Sequence, residues 1–260
     1  MRKGRFWYFV ISFMIGIFGF VFTFIKPTVY NIYIYIVIAL LWVPNFTLRN
    51  SERNQLIRII GNYTNNCDSK AYYDEIQAFY KTLYLTKRAK KLNNIILAMI
   101  KCDMGEIDEA EELLKSVCDI IEKTNKFNKY NYYRAWCNIY YERGEANHYQ
   151  VLLEEMRKII DSEKRSVLKS QMSMNFHYIE AKYFILNGIY LDKARSLYED
   201  TLNGEAANIM RLSSNYYLGV IASKENNREK AIEYFKKVAF SGRNLNMVTK
   251  ATKYVEALEK

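Results

Sequence analysis

Between residues 105 and 235 one short pattern returns. GEIDEAEELL at 105–114, GIYLDKARSLY at 188–198 and NNREKAIEYF at 226–235 each give a turn residue, polar positions, a small Ala and a bulky residue four places later. A spacing of four belongs to one face of an α-helix. Such a repeat confines the chain to folds built from helical pairs. Proline agrees: Pro27 and Pro44 are the only two, so 45–260 contains none and nothing breaks a succession of helices there.

The first fifty residues obey another rule. They carry Arg2, Lys3, Arg5, Lys26 and Arg49 and no acidic residue, so half of the net charge of +10 lies in the first fifth of the chain. Residues 6–25 form a twenty-residue run without charge, and 29–46 form a second of eighteen. At about 1.5 Å per residue each matches a bilayer core of about 30 Å. The pattern predicts a transmembrane hairpin over 1–50 and a water-facing domain over 51–260. Arg2, Lys3 and Arg5 before the first span, and Arg49, Arg53 and Arg58 after the second, place both termini in the cytoplasm of a bacterial-type plasma membrane. Trp7 and Trp42 then meet one interface as lipid contacts. The pairs Ser12/Gly16 and Gly19/Thr23 suit close helix approach, either inside one hairpin or between two in a homo-oligomer.

Beyond residue 50 the periodicity is helical throughout. Helices are expected near 52–62, 69–85, 88–103, 107–123, 128–143, 147–160, 165–187, 191–202, 206–224, 228–240 and 246–258. Gly105, Gly144, Gly188 and Asn226-Asn227 mark breaks between them. The fold class read from this is all-α.

The pairs resemble tetratricopeptide repeats. Leu97-Ala98, Gly105, Ala110 and Leu114 follow that family's pattern, as do Leu218-Gly219, Asn226, Ala231 and Phe235. Ala181, Phe184, Gly188, Ala194 and Tyr198 follow it with one extra turn residue, and Trp136-Cys137, Tyr140, Gly144, Tyr149 and Leu153 with Tyr replacing Ala. The turns at 105, 144, 188 and 226 lie 39, 44 and 38 residues apart, longer than the family's period of about 34. The likeness covers about 91–245.

What the resemblance implies is an α-solenoid of antiparallel pairs whose first helices line a concave groove for a partner protein or peptide. On this chain that register selects Ile95, Met99, Asn131, Arg134, Asn138, Tyr141, Asn175, Tyr178, Lys182, Ser213 and Tyr216. Amides suit backbone groups, Arg134 and Lys182 suit carboxylates, and Tyr gives rigid amphipathic contact. The expected function is a membrane-anchored scaffold. The alternatives are a tethered peptide sensor, or contact with anionic lipid or nucleic acid through the basic stretch at 81–91, where Lys87, Arg88, Lys90 and Lys91 cluster. Nucleic acid is disfavoured because no reading motif accompanies that stretch.

Chemistry finds little support. His148 and His177 are the only histidines, and no HExxH, GxSxG or CxxC occurs. Cys67, Cys102, Cys118 and Cys137 lack zinc spacing, so reduced, partly buried thiols are expected. Asp103, Glu106, Asp108, Glu109, Glu111 and Glu112 do not follow a calcium loop and read as a solvated turn. No enzyme activity, metal or cofactor is expected.

Overall fold

The structure, a computed structural model, describes residues 50–83, 85–241 and 243–258. The predicted spans 6–25 and 29–46 lie outside the described residues. Among those described, no helix is long and apolar enough to cross a membrane.

The described chain is all-α, without a strand. Residues 50–66 form α1. There follow α2 (Ser69–Thr82), α3 (Lys87–Met104), α4 (Ile107–Lys115), α5 (Cys118–Ile121), α6 (Lys126–Arg143), α7 (Ala146–Ser162), α8 (Ser166–Asn187), α9 (Leu191–Asn203), α10 (Asn208–Lys224), α11 (Arg228–Ala239) and α12 (Asn246–Leu258). The helix expected over 107–123 is interrupted. At Val117, fully buried on the face of Ala110 and Leu114, the N–H bonds only three residues back to Leu114, and the chain resumes as the one-turn α5.

The described residues within Met1–Ile60 and Ile76–Tyr84 form one compact unit; Gly61–Glu75 and the residues from Leu85 onward form another. In the larger unit α3/α4, α6/α7, α8/α9 and α10/α11 pack as pairs. The first helices of successive pairs touch one another, and each second helix packs on the first helix of the next pair. We call α3, α6, α8, α10 and the final α12 the inner helices. Because α12 packs on α3, the first and last inner helices meet.

The turns explain why the pattern repeats. Gly105, Gly144, Gly188 and Asn226 all have positive φ, between 60° and 84°. After each, the next backbone N–H returns to a carbonyl five residues back: Glu106 to Lys101, Glu145 to Tyr140, Ile189 to Phe184 and Asn227 to Ala222. This left-handed closure ends a helix and reverses the chain. The third turn absorbs its additional residue at Tyr190, itself left-handed at φ 48°. Starts are also encoded, since Thr86, Asn125 and Asn227 accept from the backbone N–H three residues on.

The pattern's apolar positions supply the core. Ala98, Ala110, Leu114, Cys137, Tyr149, Ala231 and Phe235 are wholly buried, and Ala181, Ala194, Tyr198 and Leu218 nearly so. Gly219 lies so close to Phe235 that a Cβ there would sit 2.8 Å from two ring carbons. Tyr149, which replaces the usual Ala, donates from its hydroxyl to the Ile179 carbonyl of α8 at 2.8 Å. The larger side chain thus has its polar tip satisfied inside the core.

Candidate partner-binding face

The predicted groove residues fall on the inner helices, but in different environments. Ile95, Asn131 and Tyr216 are buried. Met99, Arg134, Asn138, Tyr141, Tyr178, Lys182 and Ser213 are half-buried, and Asn175 is exposed. Ile95 and Met99 belong to the core between the first two pairs. Tyr178 bonds the Thr201 hydroxyl at 2.8 Å, and Asn175 donates to the Gln171 carbonyl of its own helix.

Four of the eleven converge. Lys182 donates to Asn138 Oδ1 at 3.1 Å, joining α8 to α6. Its ammonium lies 5.8 Å from the Tyr141 ring centre and 5.2 Å from that of Tyr217, within cation–π range. Tyr141 and Tyr217 meet edge-on at 5.8 Å, so α6 reaches α10 across the inner side. Arg134 lies one helical turn before Asn138, on the same face, and makes no hydrogen bond or ion pair with any described residue.

Sequence reasoning missed the centre of this group. Asp103, assigned to the solvated acidic turn, instead points inward and accepts from the Tyr63 hydroxyl at 2.6 Å. It stands one turn beyond Met99, so extending the α3 register by four residues finds it. Glu142, beside Tyr141, was also missed; it pairs with Lys250 of α12 and accepts weakly from Asn246. The remaining acidic residues do lie outside this group. Lys101 pairs with Glu106 and Glu109, and Arg143 spans Asp108 and Glu111. Among the described residues no acidic or sulfur cluster could hold a metal ion.

The electrostatics follow from enclosure. Asp103 and Lys182 keep a narrow exposed surface but are surrounded by protein. Burial raises the Asp103 carboxyl above its ordinary range, against the Tyr63 hydrogen bond and the charges of Lys182 and Arg134. Burial pulls the Lys182 ammonium down, against Asp103, while Arg134 adds to the lowering. Both shifts express the cost of an enclosed charge without a contact partner of opposite sign. Burial also pushes the Cys102 and Cys137 thiols up to about 12, keeping them protonated and inert. All four cysteines are free, and Cys67, Cys102 and Cys137 are buried as expected; Cys118 is exposed.

The basic stretch is less uniform than its composition. Lys87 and Lys90 are exposed, Lys91 pairs with Asp119 at 2.8 Å, and Arg88 donates to the Lys123 carbonyl. The other lipid-contact candidates, Trp7 and Trp42, lie outside the described residues. Comparison with protein-family models, with curated proteins and with solved structures finds no match to the chain.

Proposed function

We propose that the chain is a membrane-anchored scaffold: a TPR-like α-solenoid held at the cytoplasmic face by an N-terminal helical hairpin, capturing a segment of a partner protein on its inner helices. The observation that carries this reading is the convergence of Arg134, Asn138 and Lys182 from successive pairs beside Asp103, with Arg134 unpaired among the described residues. An enclosed cation costs stability unless something compensates it. A partner's backbone carbonyl or carboxylate supplies that compensation. Anchoring confines the face to two dimensions and raises its effective concentration toward other membrane-bound proteins. No catalytic step enters this reading.

A tethered peptide sensor is the second reading. It is favoured by the meeting of α12 with α3. A segment bound between the inner helices touches both ends of the array and shifts them together.

The test is crosslinking and capture in native membranes with the full-length chain, compared with residues 52–260. Arg134→Met with Lys182→Met keeps side-chain volume and removes both cations. Capture should be lost while the far-UV circular dichroism stays unchanged. Equal capture by the double variant rules out the inner face as the docking surface.

A further inference from the structure

The inner side of the array is not empty. Residues 61–75 lie against both ends of it. Tyr63 donates to Asp103 at the end of α3 and stacks on Tyr72 at 4.3 Å, almost parallel. Cys67 is 1% exposed and belongs to the core shared by α8 to α12. The Asn65 carbonyl accepts from Asn208 at the start of α10. Ser69, wholly buried, donates both its N–H and its hydroxyl to the Asn244 carbonyl just before α12.

This segment is held differently from the helical pairs. The pairs are joined by Leu, Ile, Ala and aromatic side chains buried in continuous clusters. Residues 61–75 offer those clusters one buried side chain, Cys67, and the half-buried Tyr63; beyond these, the Tyr73 ring lies under the Lys101 ammonium at 4.6 Å and hydrogen bonds hold Tyr63, Asn65 and Ser69. Cys67 is also strained, with φ 54°, a left-handed conformation that a Cβ disfavours. A segment with few apolar contacts and stored strain belongs at the low end of local stability. Both of its ends continue into the smaller unit, at residues 60 and 76.

We propose that residues 61–75 are a releasable strap, an intrachain occupant of the inner face latched by the Tyr63–Asp103 hydrogen bond. Its release uncovers Asp103 and the neighbouring Arg134 and Lys182. That release makes room for a partner segment rests on the partner-binding reading above; the opening itself does not.

The chain's own cysteines report the opening. Full-length protein purified in detergent is pulsed with iodoacetamide, and each thiol is followed by mass spectrometry. Cys118, exposed, reacts first. Cys67 reacts next, through strap opening, and Cys137, inside the core of the middle pairs, reacts last. Tyr63→Phe removes the latch but keeps the ring. It accelerates Cys67 by about 10- to 100-fold, the effect of losing a buried hydrogen bond to a carboxyl group, and leaves Cys137 unchanged. Asp103→Asn retains an acceptor for Tyr63 and changes the Cys67 rate less. Equal rates for Cys67 and Cys137, equal acceleration of both by Tyr63→Phe, or no acceleration of Cys67 each overturn the strap. Partner capture that Tyr63→Phe leaves unchanged or lowers, with these rates as stated, would instead count against the binding reading alone.

Discussion

Gly219 offers the sharpest test of the repeat packing, because Gly61 is a built-in control. Both lie inside helices, in α10 and α1, so replacing either by Ala recovers the same helix propensity, about 1 kcal/mol. Their surroundings are opposite. A Cβ on Gly61 meets nothing within 4 Å; on Gly219 it meets Cδ1 and Cε1 of Phe235 at 2.8 Å and Cγ at 3.1 Å. Carbon contacts are best near 3.5–4.0 Å, so the ring must retreat by about 1 Å. Phe235 has no free direction, being wholly buried and stacked on Tyr254 with centroids 4.7 Å apart. Overpacking of this kind costs about 1–3 kcal/mol. Gly61→Ala should therefore raise stability by about 1 kcal/mol, while Gly219→Ala should fall below it by about 1–3 kcal/mol. Urea unfolding followed at 222 nm reads both. Phe235→Leu should make room for the methyl group that Gly219→Ala adds, giving a coupling of at least about 1 kcal/mol in the double-mutant cycle. If Gly219→Ala stabilises as much as Gly61→Ala, the close approach of α10 and α11 is wrong.

Two further predictions address closure and charge. Gly144→Ala should cost about 1–2 kcal/mol, the left-handed penalty alone, since a Cβ there meets nothing; Gly105→Ala should cost more, because its Cβ meets Asn246 Oδ1 at 2.9 Å. A smaller loss for Gly105→Ala than for Gly144→Ala in urea unfolding would deny that Asn246 of α12 lies against Gly105. Asp103 is held above the ordinary aspartate range mainly by burial, so the native state keeps that proton longer than the unfolded chain. Its contribution to stability is full below about pH 4 and is lost as pH rises through the raised value. Asp103→Asn removes that loss, so the stability of the variant relative to the natural sequence should grow as pH rises above about 4. A flat difference would show that Asp103 is not enclosed.

Helix boundaries and turns were readable from the sequence because they rest on local rules. A left-handed turn needs Gly or Asn, and the residues at 105, 144, 188 and 226 met that need openly. The surplus residue at Tyr190 was readable too, as one more position before Ala194. Local rules did not show the break at Val117, where the backbone hydrogen bonds tighten to three residues back, Val117 to Leu114 and Ile120 to Val117, while Ala110, Leu114, Val117 and Ile121 stay on one buried face. They also did not show which polar residues meet. Asp103 looked like part of an acidic run because its neighbours in sequence are acidic, whereas its neighbours in space are Tyr63, Arg134 and Lys182. Nor could the pattern reveal that residues 61–75 and α12 close on the inner face. Contacts such as Ser69–Asn244, 175 residues apart, leave no periodic trace. The cations chosen from the repeat register, Arg134 and Lys182, lie in the same enclosure, but the acidic half of that enclosure came only from the fold.

The claim on which the rest depends is that the inner helices form the working surface. A photoreactive residue at Asn175, exposed on α8 one turn before Tyr178, samples that side; one at Lys158, exposed on α7, samples the outer helices. Irradiation of full-length protein in native membranes should give a discrete partner adduct from position 175 and none from 158. An adduct from 158 with none from 175 would contradict the account.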